Sequence, residues 1–541
     1  MEKKRIKKHI YLFLAVLFVF GVLVGCRENR ENAFYKDFRV SEMEFTLTDD
    51  DIDAFYEKLD ECKKIFESAD PDRAKELEKN LNKMYELYTA VKIQEDIADA
   101  LYYCDYSDEK MKDNYLYASS AVNELFNDAR GFVKDNAVSK NPLSEVLEEF
   151  ADQAFNTPVM YRYGDAQTPY NEFMNIRHEY KNLGADAADN YKCQLYNRYL
   201  DALNEYAVAY GFPNYYEMAH KTDYFRDYEK RDRTDIRNYV KEYLVPLFRE
   251  IDRRYENLEV SSSAYSFSTK LLDGNYALLP KNYIYEYLKS LPEDMAKVMN
   301  LPFKQDLILI GDKSSSKSTA CVDRVGDVHF IYFYESKMDL DTVIHELGHF
   351  YADTVGKDHL SFDVCEVHSI ANHLLMIKYL ENEIEEESYK DFYMYSVNNI
   401  LYQAVSCAIK DEFEEKVLVR AKYNDFSVEE LDGIMSELID QYGIRDISSR
   451  MVDQLMTYWK RLGFEDMGYQ LSYTAATVTS LQIYVKSIED YNDAVMIYKS
   501  VCENADEESS FVGTIHDAGL YAPFEKEAYI ELEKLIDYYG K

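Results

Sequence analysis

The chain has 541 residues, 47% of them hydrophobic and 15% aromatic, with only 18 glycines and 10 prolines. That composition argues against a disordered chain and against turn-rich sheets, and favours long helices. A formal charge of −38 argues against a nucleic-acid partner, because phosphate binding needs a net basic face.

The first 26 residues read MEKKRIKKHIYLFLAVLFVFGVLVGC. A basic start (Lys3, Lys4, Arg5, Lys7, Lys8) and an apolar run over 10–24 end on Gly25-Cys26, the layout of a secretory leader. The apolar run is short for a membrane-spanning helix. The ending resembles the bacterial lipobox, in which the cysteine becomes the lipidated first residue. The reading is therefore a signal peptide over 1–25, a lipid anchor on Cys26 and a polar tether over 26–50. It places the body outside the cytoplasm, held to a bacterial cell membrane. The seven other cysteines are scattered and form no CxxC pair, so neither a disulfide framework nor a zinc-finger site follows. The 51 tyrosines against one tryptophan fit either half-polar groove surfaces or ordinary core and rim positions.

From residue 51 to about 136 the pattern is helical, and Pro71 after Ser68-Ala69-Asp70 marks a helix start. Helical patterning returns after Pro142 and runs to about residue 251. The texture then changes between residues 307 and 333. DLILIGD and CVDRVGDVHFIYFY, separated by the polar KSSSKS, have the alternation and aromatic content of strands. Helical patterning resumes at Asp339. The expected domains are an N-terminal helical domain over 51–200 and a catalytic domain over 201–541.

The most specific stretch is TVIHELGHFYAD, residues 342–353, which contains HExxH. His345 and His349 lie four apart and so share one helix face, from which both imidazoles reach a single metal ion. Glu346, next to the first of them, is placed to accept a proton from an attacking water. A third protein ligand is needed, and the downstream candidates are His359, Asp363, Glu366, His368 and His373. Val355 stands where a metzincin-type site would have histidine, which rules that class out. Glu366 and His368 lie in VCEVHSIANHLLMIKYL, a second buried helix that is apolar nearly all round. Phase alone does not choose between them.

Here the sequence resembles the oligoendopeptidase F and thimet oligopeptidase family of zinc peptidases. HFIYFYESKMDLDTVIHELGHFYAD followed by EVHSIANHLL carries the strongest match. YGFPNYYEMAHKTDYFRDYEKRDRTDIRNYVKEYLVPL, SCAIKDEFEEKVL and AVMIYKSVCENADEESSFVGTIHDAGLYAPF extend it over most of the chain from about residue 150. The resemblance implies one Zn²⁺ held by His345, His349 and Glu366, with Asn372 also matching. It implies a mainly α fold: an elongated two-lobed helical body, a small β-sheet beside the HExxH helix and a zincin-like core whose channel admits short peptides. Tyr469 and Tyr473, in WKRLGFEDMGYQLSYTAATVTSLQIY, match the family's tyrosine cluster. Four departures stand out. Gly463 or Phe464 falls where the family has a histidine, KSSSKSTACV replaces a Lys-Arg-Gly-Ala-Tyr-like stretch before the strand, His373 replaces its second glutamate, and the loop before Glu366 is shortened.

The expected function is zinc-dependent endopeptidase action on short oligopeptides. Glu346 is the base, and Tyr473 or Tyr469 donates to the developing oxyanion. The strand over 327–333 is expected to pair with substrate backbone as an edge, and His329 to serve packing. One alternative is a catalytically weak or inactive zinc-holding, peptide-binding lipoprotein. The other is a surface interaction protein with a structural metal, closed by a fourth ligand such as His359 or His368.

Overall fold

The computed structural model describes residues 39–105, 108–154, 167–181, 183, 187–257, 281–311, 320–334, 340–356, 361–383, 386–461, 466–504 and 510–539. Signal peptide, Cys26, His359, KSSSKS and the Gly463–Phe464 pair lie outside them. Among the described residues no helix is long and apolar enough to cross a membrane. The protein is mainly helical, with a small three-stranded mixed sheet, as its composition predicts. Its residues form two compact units, Met1–Val159 with Asn300–Lys337, and Met160–Met299 with Met338–Lys541. The strands group with the N-terminal helices in the first unit.

In the first unit, α1 (Asp49–Glu67) starts at a capping box in which Thr48 and Asp51 satisfy each other's backbone N–H groups. The Pro71 start is a one-turn 3₁₀ segment, Pro71–Arg73, capped by Asp70 and leading into α2 (Ala74–Cys104). α3 (Glu109–Ala137) is capped by Asp108, and α4 (Ser144–Ala154) follows. Phe55, Leu59, Leu77, Leu81, Leu125 and Leu147 join these helices in one core. The expected tether ends early: Val40 is buried and its N–H donates to the Asp306 carbonyl at 3.0 Å.

The strands are β1 (Ile308–Gly311), β2 (Ala320–Val325) and β3 (Val328–Tyr334). Their order is β1-β3-β2. β3 runs parallel to β1, with Ile308 opposite Ile331, and antiparallel to β2, with Val322 opposite Ile331. This corrects the expectation that residues 327–333 form a substrate-binding edge. β3 is paired with β1 over residues 331–334 and with β2 over 328–333, so it lies inside the sheet rather than at its edge over most of its length. Val328 and Phe330–Phe333 are all buried, as suits a strand covered on both faces.

The second unit is helical. Its elements include α5 (Tyr215–Thr222), α6 (Lys230–Tyr239), α7 (Leu340–Val355), α8 (Phe362–Leu380), α9 (Glu386–Ala421), α10 (Gln470–Glu489) and α11 (Tyr491–Glu503). α8 is packed by α7, α10 and α11, which explains why its sequence is apolar nearly all round. α10, which packs against it, is rich in small and β-branched residues such as Ala475, Ala476, Thr477 and Ser480, all buried. α7 approaches α8 closely at Gly348, where any side chain would meet backbone. All seven cysteines in the described residues are free.

Candidate metal centre

α7 presents His345 and His349 one turn apart, with ring centroids 5.0 Å apart. α8 brings Glu366 to them: its Oε2 lies 3.8 Å from His345 Nε2 and 3.9 Å from His349 Nε2. Donor atoms of the three residues all lie within 4.8 Å of one another. These separations are too long for hydrogen bonds and wide enough to admit an ion with ligand bonds of about 2.0–2.2 Å. The two imidazoles keep 25% and 16% of their side-chain surface open, Glu366 only 4%. The site is therefore approached from the histidine side.

The protonation states suit a metal. Burial, reinforced by the neighbouring His349, pushes His345 down to about 3. Burial also pushes His349 down to about 4, against a hydrogen bond between its ring and the main chain of Cys365. Both rings are thus neutral ligands at neutral pH, and a main-chain bond of that sort fixes the orientation of a ligating histidine. Glu346 is 4% exposed and its Oε2 has no hydrogen-bond partner. Burial, then the charges of Glu366 and Asp353, holds its carboxyl well above the usual range. An unpartnered buried carboxyl is costly in a purely structural core. Beside a His-His-Glu donor set, the observation fits a bound cation and its water.

Several residues hold this arrangement in place. Ser369 Oγ donates to the Glu366 carbonyl at 3.0 Å and to its Oε2 at 3.3 Å. Tyr469 donates its hydroxyl proton to Glu366 Oε1. Asn372 Nδ2 donates to the carbonyl of Ile344, adjacent to His345, at 2.7 Å, while its Oδ1 accepts from Tyr287 at 2.6 Å. His373 reaches back to Asp341 in the first turn of α7, at 3.0 Å.

Of the five candidates for the third ligand, the structure brings Glu366 to the histidines. Asp363 instead forms a buried pair with Arg226, His373 pairs with Asp341, and His368 is not in the donor group. Tyr469 and Tyr473 both reach the site, their rings 5.2 Å apart. The negative charge of Glu366 and burial raise Tyr473 well above the ordinary tyrosine value. Tyr469 is committed to the carboxylate, a role that its resemblance to an oxyanion donor did not anticipate. Ser369, Tyr287 and Asp341 were missed outright. Only Asp341 carried a signal, as an acidic residue in the first turn of the motif helix.

No family model matches the chain, and no curated protein matches it by sequence. Solved structures do. Over 94% of this chain and 99% of the other, it superposes on Pz peptidase A with an inhibitor, at TM-score 0.65 and 16% identity. A protein assigned as oligoendopeptidase F gives TM-score 0.67 at 16% identity over 93% and 98% of the two chains. A Bacillus anthracis protein with the same assignment gives 0.64 at 14% identity over 92% and 98%. The fold is one seen in oligopeptidases. At these identities the likeness concerns architecture, and the chemistry must be argued from the centre itself.

Proposed function

We propose that this chain is a zinc-dependent endopeptidase that cleaves short oligopeptides outside the cytoplasm, tethered by a lipid on Cys26. The observation that carries the reading is Glu346, a buried carboxyl without a hydrogen-bond partner beside two neutral imidazoles and a buried carboxylate. A structural or transport site has no use for a base at that point. Two imidazoles, one carboxylate and an open side are the donor set of catalytic zinc rather than of a closed structural site.

His345, His349 and Glu366 would hold the ion. Zinc bound there supplies Lewis acidity, polarising the scissile carbonyl and acidifying a water. Glu346 takes the proton that the attacking water loses and hands it to the departing amine. Its raised proton affinity suits that exchange, since the residue must carry a proton between two steps. Tyr473 donates to the oxyanion as the carbonyl oxygen gains charge. Tyr469 keeps Glu366 aimed at the histidines. The preference for short peptides rests on the architecture shared with structures named as oligoendopeptidases.

The test is mass-spectrometric mapping of a mixed short-peptide pool incubated with the purified protein, beside Glu346→Gln, with zinc content measured on both. Cleavage by the parent that disappears in a zinc-loaded variant supports the peptidase. Zinc in both with cleavage by neither leaves a peptide-binding lipoprotein as the better account. For the anchor, Cys26→Ser should abolish fatty-acid labelling and release the protein from membranes; labelling that persists would refute it.

A further inference from the structure

We propose that Arg226 is the positioning residue of the metal centre, a clamp that sets Tyr469 against Glu366; this rests on the metallopeptidase reading above. Arg226 lies in the segment between α5 and α6, where Tyr224, Arg226 and Tyr228 alternate inward and are all buried. Phe225 between them adopts φ +48°, a left-handed conformation that a bulky side chain rarely takes. The chain accepts that conformation and in return turns both neighbours towards the centre. The Arg226 main-chain N–H is fixed by the His220 carbonyl at 3.0 Å.

The guanidinium spends its donors on both halves of the site. Its Nε donates to Asp363 Oδ1 at 3.0 Å, one helical turn before Glu366 on α8. Its Nη1 donates to the Gly468 carbonyl at 3.0 Å and its Nη2 to Ser472 Oγ at 2.7 Å. Gly468 and Ser472 bracket Tyr469, so the clamp grips the chain on either side of the tyrosine. Ser472 and Tyr228 close the network by donating to Asp363 at 2.5 Å and 2.6 Å. The ring of Tyr224 lies under the guanidinium at 4.8 Å and against Tyr469 at 5.7 Å.

A salt bridge alone would need one charge facing Asp363. A planar fork that also reaches a carbonyl in the turn before α10 and a hydroxyl on α10 fixes an angle and a distance between α8 and that segment. At the donor group, this geometry bears on the Tyr469 hydroxyl that donates to Glu366. Outer-shell partners of this kind typically govern metal affinity by about 10–100-fold.

The proposal is tested by a double-mutant cycle on zinc affinity, read by chelator competition on the full chain. The variants are Arg226→Lys, Tyr469→Phe and the pair. Lysine keeps the charge opposite Asp363 but loses the fork. The expected result is about a 10-fold loss of zinc affinity for Arg226→Lys in the parent, and less than about a two-fold further loss in the Tyr469→Phe background, since nothing then remains to position. An equal loss in both backgrounds, or no loss in either, overturns the clamp while the parent's zinc binding and cleavage keep the peptidase reading intact. A parent that binds no zinc overturns both. Should Arg226→Lys not fold by thermal melting, Ser472→Ala takes its place in the cycle, with the same outcomes.

Discussion

Gly348 and His368 meet backbone to backbone: a Cβ on Gly348 would lie 2.3 Å from the His368 carbonyl oxygen and 2.8 Å from Ser369 Cα. The HExxH helix can sit this close to the helix of the third ligand only because nothing projects from residue 348. The closeness is what lets Glu366 Oε2 come within 4 Å of both imidazoles.

The expected effect of Gly348→Ala follows from setting two terms against each other. In an exposed helix the change would stabilise by about 1 kcal/mol. Here the new methyl collides with main chain, which cannot rotate away, and overpacking of this kind costs about 1–3 kcal/mol. Sterics should win, so urea denaturation of the metal-free variant should show a lower midpoint than the parent, and its zinc affinity should fall with the separation of the helices. An unchanged midpoint would mean that the helices are free to part.

Tyr473 and Tyr469 should separate in their effects. Tyr469 gives its hydroxyl to Glu366, so removing that hydroxyl acts on the metal. Tyr473 sits beside it without being committed to the ligand in the same way. Tyr473→Phe is expected to lower kcat by about 10²–10³-fold, the usual loss for one oxyanion donor, with zinc content and KM little changed. Loss of zinc with kcat preserved in the loaded enzyme would assign Tyr473 to ligand support instead.

How much of this could be read beforehand depends on how far each interaction spans. The HExxH spacing placed two imidazoles on one face because helix geometry is local. Burial of α8 was visible in its composition, and for that reason its phase could not choose between Glu366 and His368. Packing against α7, α10 and α11 erases the amphipathic signal, and the choice came from resemblance. Arg226 and Asp363 are 137 positions apart, and neither carries a local pattern pointing to the other. Asp363 was instead weighed as a ligand, a fair reading of a buried carboxylate whose cation was out of sight. The strands were legible from alternation, but the order β1-β3-β2 places the last strand in the middle, a non-local pairing that propensity does not encode.

Acid should spare the metal longer than free histidine chemistry would. An ordinary imidazole protonates near about 6.5, whereas burial holds His345 at about 3 and His349 at about 4. Protons should compete with zinc only below about pH 4–5. Zinc retained through gel filtration at stepwise lower pH is the measurement, and release beginning near pH 6.5 would contradict the assigned burial. The metal-free protein should behave differently. Between about pH 6.5 and 4 its unfolded chain takes up protons that the folded imidazoles refuse, so its stability should fall as pH drops through that window.

Glu414 gives the opposite slope. It is fully buried on α9, accepting from the Tyr458 hydroxyl and, at 2.7 Å, from the Gly468 N–H. Burial outweighs these donors and raises its carboxyl to about 8. The folded state therefore keeps a proton that the unfolded chain, with an ordinary glutamate, has lost above about pH 4.5. Stability from this group is complete below about 4.5, declines as pH rises, and is exhausted once pH passes about 8, at no more than about 1.4 kcal/mol per pH unit. Glu414→Gln cannot ionise and should remove that component. Plotted from pH 5 to 9, the stability difference between parent and variant should slope downward with rising pH and level off above about 8. A flat difference would mean that Glu414 is already ionised at pH 5 and that its two donors outweigh burial. Glu414 accepts from the N–H of the same Gly468 whose carbonyl Arg226 grips, so the turn before Tyr469 is held from both sides.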